Sequence, residues 1–280
     1  MLRDAVPLLR CPACHAPLEL RESALRCDSG HAYDVARQGY VSLFAGSGAR
    51  ARGDSAAMVE ARASFLGAGH FEPLSSALAA ESRRWTASGP VVDVGAGPGH
   101  HLARVLEALP DARGVALDSS PAALRRAAAA HPRLAAVGCD VWDPLPLRDG
   151  AAALGLNVFA PRNGSELARV IGPGGALLTV TPTPAHLAEL VAALGLLSVP
   201  SRKEERLAAQ LAPALAPVSR TELEHGLSLS RADAAALVRM GPSEWHMSPG
   251  ALGRRLAELA EPLEATVSVT ISTFAPAPGG

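Results

Sequence analysis

The chain alternates short apolar runs with stretches whose apolar residues recur at helical spacing. One junction between the two patterns organises the rest. Pro90-Val91-Val92-Asp93-Val94 is a near-continuous β-branched run, the pattern of a strand buried on both faces. Gly95, Gly97 and Gly99 follow at alternate positions, and then Leu102, Val105, Leu106 and Leu109 fall on one helical face. Strand, glycine turn and helix make the first unit of a doubly wound sheet. The alternation continues with a strand at 114–118, a helix at 121–130, strands at 134–139 and 151–158, and a helix at 166–171. A Gly172-Pro173-Gly174-Gly175 turn then precedes a strand at 176–180 and a helix ending near Leu194. Residues 218–230 and 266–274 alternate with period two, as strands do, and 231–240 has helical spacing. Upstream, Asp54 or Ser55 can cap a helix reaching Phe65 or Leu66. The Gly67-Ala68-Gly69 stretch breaks it, and a second helix is expected at 73–88. The fold class is α/β.

Composition narrows this picture. The 280 residues can bury a sizeable core, and at 48% hydrophobic but only 4% aromatic that core is built from Ala, Val and Leu. A net charge of −1 gives no overall basic signal for nucleic acid. No run of 18 apolar residues suggests a membrane span, and residues 1–10 hold Arg3, Asp4 and Arg10 rather than a signal sequence. The expectation is a cytoplasmic protein with no membrane partner.

Three of the four cysteines lie in the first 27 residues. Cys11, Cys14, Cys27 and His31 follow the spacing C-x2-C-x12-C-x3-H, with a hairpin expected between the two pairs. Three thiolates and an imidazole make a closed tetrahedral zinc site, structural rather than catalytic. So small a module could hardly fold on its core alone, and the metal supplies the missing free energy. Residues 46–54 are small, polar and glycine-rich, and read as a mobile linker between residues 1–45 and a larger domain beginning near residue 56. Cys139 has no partner in the spacing and reads as a small buried hydrophobe.

The glycine loop limits its ligand. A dinucleotide fingerprint is G-x-G-x-x-G. Here the pattern is G-x-G-x-G, His100 occupies the next position, and Asp93 lies two residues before the loop. A carboxylate there suits a cationic, phosphate-free cofactor better than a pyrophosphate. Asp118, 19 residues after Gly99, can accept both hydroxyls of a ribose. Loop and acids together resemble the cofactor motif of the class I methyltransferases, which bind S-adenosylmethionine. That likeness adds Pro98 and His100 to the loop's candidates. It makes Asp140, with Val141 beside it, the candidate for the adenine edge. The strands at 218–230 and 266–274 fit the antiparallel hairpin that closes such sheets.

A second resemblance covers nearly the whole chain. Cys-Pro-Ala-Cys, Arg26-Cys27 to His31, the run from Asp34 to Leu43, Gly53-Asp54-Ser55 to Met58, Ala61-Arg62, Phe65-Leu66 and Gly69-His70-Phe71 are similar to the ribosomal RNA guanine-N1 methyltransferases of the large subunit. That family includes macrolide- and tylosin-resistance enzymes acting on the loop of hairpin 35. The resemblance implies a Rossmann-like class I methyltransferase sheet behind a small zinc-binding domain that helps grip the RNA hairpin. A homodimer is compatible with it. Phe71 stands where relatives commonly carry a cofactor-touching tyrosine, and His186 matches a histidine placed against the cofactor. Asn157 and Phe159 end the fourth strand of the sheet, facing the transferred methyl. Asn157 can present a donor and an acceptor to a base edge, and Phe159 can stack on a base. Two alternatives stay open from the sequence. One is a small-metabolite methyltransferase with a scaffolding zinc module, and the other a non-catalytic RNA-binding protein with a relict cofactor fold.

Overall fold

The protein is described from a computed structural model, covering residues 1–45, 53–86, 89–196, 211, 214–241 and 250–276. The predicted linker at 46–52, most of the Pro-rich stretch at 196–216, the segment at 242–247 and the tail from residue 277 lie outside the described residues.

The N-terminal part begins with helix α1 (Leu2–Ala5), then strands β1 (Glu19–Arg21), β2 (Ala24–Arg26) and β3 (Ala32–Asp34) in one antiparallel sheet, and a short strand β4 (Val41–Ser42). Arg21 pairs with Ala24, so Glu22 and Ser23 form a two-residue turn, and Glu22 takes the positive φ of 54° that such a turn requires. Helix α2 (Ala56–Gly67) follows, with the Ser55 hydroxyl accepting from the Met58 amide as its N-cap. Helix α3 (Glu72–Ser82) ends earlier than its pattern suggests. The Ser82 hydroxyl turns back onto the Leu78 carbonyl, 2.7 Å away, a bond that weakens the helix it sits in.

The doubly wound part runs through β5 (Val91–Val94), α4 (His100–Ala108), β6 (Gly114–Asp118), α5 (Pro121–Ala130), β7 (Leu134–Gly138), β8 (Ala152–Val158), α6 (Gly164–Val170), β9 (Ile171–Pro182) and α7 (Ala188–Leu194). It closes with β10 (Leu215–Leu229), α8 (Arg231–Arg239), α9 (Ala251–Ala257) and β11 (Leu263–Pro276). The sheet order is β10-β11-β9-β8-β5-β6-β7-β4, with β10, β11 and β9 antiparallel and the rest parallel. The Pro-Gly-Gly run lies inside β9 rather than before it. Its register shifts between Ala152 and Leu154, and a Cβ at Gly172 would sit 2.9 Å from the Gly150 carbonyl. The glycines therefore let this strand pass its neighbour as a bulge.

The first 45 residues are not a separate globule. β4 adds in parallel to β7 as an eighth strand of the main sheet. Leu9 bridges Leu147, the Arg10 amide bonds the Pro146 carbonyl, and the Arg148 amide bonds the Leu8 carbonyl. Leu2, Val6, Leu9, Leu18, Leu25, Val41 and Leu43 are buried in one cluster with Val92, Val94, Val115, Leu117 and Val137. The module is thus part of the cover for one face of the sheet, beside Leu167 and Val170 of α6. Helices α2 to α5 pack against the opposite face, where Phe65, Leu74, Leu102 and Leu124 join Val91, Ala116 and Leu154. No helix among the described residues is long and apolar enough to cross a membrane.

Candidate metal centre and cofactor site

In the N-terminal sheet, the hairpin brings the two knuckles together. The ligand atoms of Cys11, Cys14, Cys27 and His31 all lie within 4.8 Å of one another. Cys14 Sγ is 3.6 Å from Cys27 Sγ, and His31 Nδ1 is 3.4 Å from Cys27 Sγ and 3.6 Å from Cys11 Sγ. A tetrahedron with ordinary zinc–sulfur and zinc–nitrogen bonds has edges of about 3.5–3.8 Å, so three of the six ligand separations are already close to those of a zinc site. Hydrogen bonds from Ser29 and the Ala16 backbone hold the Cys14 thiol down to about 6, so it is a thiolate near neutrality. Tyr33, which the spacing did not single out, places its hydroxyl 3.2 Å from Cys11 Sγ and orients that ligand from outside the shell.

The second site lies at the carboxyl ends of β5, β6 and β8. Gly95 and Gly97 have φ of 78° and 56°, a region that residues with a Cβ resist. A Cβ at Gly95 would meet Ala160 at 2.4 Å, and one at Gly97 would meet the Arg62 guanidinium at 3.4 Å. The first glycine thus admits the loop after β8, and the second leaves bare backbone beneath Arg62. Pro98 and Gly99 are buried in the loop, and His100 opens α4. Burial lowers the His100 pKa, so the ring is neutral at neutral pH.

The two acids differ. Asp93 is 2% exposed, and its Oδ1 has no hydrogen-bond partner among the described residues. Burial, and after it the Asp118 carboxylate, pushes its pKa up to about 8. Asp118 is also raised by burial, but the Ser120 and Gly97 amides each donate to it at 2.8 Å. An orphaned buried carboxyl beside a glycine cradle fits a ligand that brings positive charge. That is the chemistry of S-adenosylmethionine and not of a dinucleotide pyrophosphate.

Three rings line the next part of the site. Phe71 lies 6.1 Å from Phe159 and 6.4 Å from His186, and Phe159 lies 5.6 Å from His186, centroid to centroid. Phe71 is buried, while Phe159 is 38% exposed. Phe159 also has φ of 53°, and Leu187, next to His186, has 56°. A left-handed conformation costs a non-glycine residue about 1–2 kcal/mol, and such strain gathers at functional positions. The Ser268 amide donates to His186 Nδ1 at 3.3 Å, so the neutral ring carries its proton on Nε2.

Asn157 takes a different place from the expected one. It is fully buried, and its Nδ2 donates at 3.0 Å to both the Val94 and Pro161 carbonyls. Both amide hydrogens are spent on backbone, so Asn157 braces the Phe159 loop against β5 and has no donor left for a base edge, while its buried Oδ1 has no partner among the described residues. Asp140 caps its own turn, accepting from the Trp142 amide at 3.0 Å. Val141 is half-buried beside it, and Trp142 is 59% exposed.

Arg62 carried no weight in the sequence beyond its place in a resembling stretch. In the structure it ion-pairs with Asp54 and donates to the Met240 carbonyl at 2.6 Å. Ser120 Oγ bonds the Asp54 carbonyl at 2.7 Å, and a Cβ at Gly53 would meet Ser119 and Ser120 at 2.8 Å. Gly53 and Asp54 are therefore packed against the loop after β6. No local pattern could have announced this, because the partners are up to 178 residues apart.

Comparison with known proteins accords with this geometry. A zinc-ribbon family profile described as "RlmA, N-terminal" matches residues 9–45. The chain is 52% identical over 281 residues to the 23S rRNA (guanine(748)-N(1))-methyltransferase of Streptomyces fradiae, covering 99% of this chain and 100% of the relative. It is 47% identical to a Micromonospora griseorubida protein named for 23S rRNA guanine-N1 methylation, over 98% and 99% of the two chains. Among solved structures, the YcgJ protein of a Bacillus species aligns with a TM-score of 0.53 at 14% identity, over 74% of this chain and 99% of that one. A methyltransferase complex from Haloferax volcanii aligns with a TM-score of 0.52 at 19% identity, over 80% and 98%. At those identities the two structures speak for the fold alone.

Proposed function

The chain belongs to the 23S rRNA guanine-N1-methyltransferase family, and from that premise we propose that it methylates N1 of a guanine in the hairpin 35 loop, at the position numbered 748 in the Streptomyces fradiae relative. The observation that carries this reading is the match to that relative over its complete length.

S-adenosylmethionine, when bound, supplies an electrophilic methyl group on a positively charged sulfur. The remaining work belongs to the chain. Gly95, Gly97 and Gly99 offer close approach to backbone, with Pro98 and His100 completing the turn. Asp118 faces the ribose, and Asp140 with Val141 flanks the adenine. Asp93 holds negative charge behind the loop once a cationic ligand favours its ionised form. Phe159 offers an exposed face on which the target base stacks, with Phe71 and His186 behind it. Much of the acceleration is positioning, since an in-line displacement asks mainly that nucleophile and methyl be aligned.

Guanine N1 carries a proton at neutral pH, and as it leaves, charge builds on the base's carbonyl O6. The Nε2–H form of His186 is the tautomer that can donate to such an oxygen. The target edge is paired in a duplex, so the base must come from a loop or be flipped out. The zinc ribbon supports the same reading as a second surface for the RNA. Its exposed Arg37 is a candidate phosphate contact, as are Arg50 and Arg52, which lie outside the described residues.

Primer extension across the hairpin of ribosomal RNA treated with enzyme and cofactor tests this function. N1 methylation blocks pairing and stops the copy at one guanine. No stop, with cofactor turned over on a small acceptor instead, would move the chain to metabolite methylation.

A further inference from the structure

We propose that Arg62 holds the carboxylate at the amino-acid end of the cofactor, with Asp54 as the residue that positions it. The inference rests on reading the glycine loop as the S-adenosylmethionine site. Around that loop the structure gathers Asp93, Asp118 and Asp54. Three carboxyl groups suit the ammonium, the sulfonium and the ribose hydroxyls of the ligand. They are hostile to its carboxylate, which needs a cation of its own. The missing side-chain positions of the loop show where a cation stands. A Cβ at Gly95 would meet only Ala160 within 4 Å, and one at Gly97 only Arg62, at 3.4 Å from Nη1 and 3.6 Å from Cδ. The guanidinium thus borders the bare backbone that the ligand must approach.

Its present partners leave it capacity. Arg62 pairs with Asp54 through one terminal nitrogen and with the Met240 carbonyl through the other. A guanidinium has five donors in a rigid fork, so it can keep Asp54 and add a carboxylate. Asp54 does not drift, because Ser120 Oγ holds its carbonyl at 2.7 Å while the Ser120 amide holds Asp118 at 2.8 Å. The ribose acid and the arginine are thereby tied into one frame through Ser120. The side chain is 28% exposed, open on one side to a ligand.

The test compares two ligands by titration calorimetry on the full chain. S-adenosylhomocysteine carries the amino-acid end, whereas 5′-methylthioadenosine keeps adenine, ribose and sulfur but lacks it. Arg62→Ala is expected to weaken the first by roughly ten- to a hundredfold, the scale of charge-assisted hydrogen bonds, and to leave the second within about twofold of wild type. Arg62→Lys keeps the charge without the fork. It is expected to weaken the first ligand by less than Arg62→Ala does, and it replaces that variant if circular dichroism shows misfolding. Equal weakening of both ligands, or of neither, would overturn the inference and leave Arg62 as a tie between α2 and its neighbours. Wild type binding neither ligand would overturn the reading of the glycine loop itself, and this inference with it.

Discussion

The zinc ribbon and the cofactor site solve the same problem, assembling polar groups in a folded chain, by opposite routes. The ribbon draws its four ligands from 21 consecutive residues, 11 to 31, and a hairpin is enough to close it. The proposed cofactor site draws on residues 54, 62, 71, 93–100, 118, 140, 141, 159 and 186, which come from several separate segments of the chain. The ribbon's groups are completed by one ion. The cofactor site keeps an orphaned carboxyl, a raised pKa and two strained left-handed residues. A site built locally can be finished in place, while one built across the fold keeps unmet polar demand where a ligand will bind. The two are not independent. The ribbon's core covers part of one face of the sheet whose central strands carry the cofactor loop at their carboxyl ends.

The largest expected effect breaks that dependence. Deleting residues 1–45 removes seven buried Leu and Val side chains, each worth ~1.5–3 kcal/mol, from a fold whose whole margin is ~5–15 kcal/mol. The truncated chain should fail to fold, as circular dichroism and thermal melting would show. A soluble, cooperatively melting 46–280 fragment with wild-type cofactor affinity would restore the picture of two independent domains. Next comes Cys27→Ser. It should abolish zinc in metal analysis and lower the melting temperature of the whole chain in a single transition, because Cys11 and Cys27 sit within the shared cluster. A separate early transition confined to the ribbon would contradict this.

On the cofactor side, Asp118→Ala should weaken binding by ~1.5–3 kcal/mol, the scale of a hydrogen bond to a charged group, as read by calorimetry. Unchanged affinity would remove Asp118 from the site. Phe159→Ala should take away a stacking platform of ~1–3 kcal/mol. It should lower RNA turnover more than cofactor affinity, and the reverse ranking would place Phe159 with the cofactor.

The smallest effect is a pH dependence, and its sign follows from Asp93. The folded pKa, about 8, lies above the unfolded value of 3.8. Folding therefore favours the protonated form. The stability this confers is complete below the unfolded pKa and is lost as pH rises to about 8. His101, buried against Ser75 Oγ at 3.0 Å, is shifted the other way, its pKa lowered by burial to about 3. Its contribution is present above its unfolded pKa and falls away as pH drops. Between pH 7 and 8 Asp93 contributes a decline on the order of 1 kcal/mol per pH unit, while Cys14, held down to about 6 in the folded chain, contributes in the opposite sense. Asp93→Asn should remove the Asp93 contribution, so that across this window the variant's melting temperature gains on wild type as pH rises. A cationic ligand lowers the Asp93 pKa, so binding at pH 7 should release a proton. Calorimetry in buffers of different ionisation enthalpy would detect that release, and Asp93→Asn should abolish it.

What could be read from the chain alone was whatever depends on neighbours in sequence. The alternation of β-branched runs with amphipathic helices determined the parallel sheet, and β6 and α5 fall on the expected residues. The Cys and His spacing determined the metal cluster, since two knuckles and a hairpin leave the ligands nowhere else to go. The glycine loop with Asp93 and Asp118 determined the class of cofactor, because backbone conformation and charge are local properties. The tertiary structure decided the rest. It joined β4 to the main sheet, since a strand edge finds its partner by shape and hydrophobic contact rather than by sequence distance. It turned Asn157 inward, because two backbone carbonyls lie within reach of its amide only once β5 and β8 are side by side. It also set Arg62 over Gly97, an ion pair and a close approach joining segments that share no local pattern.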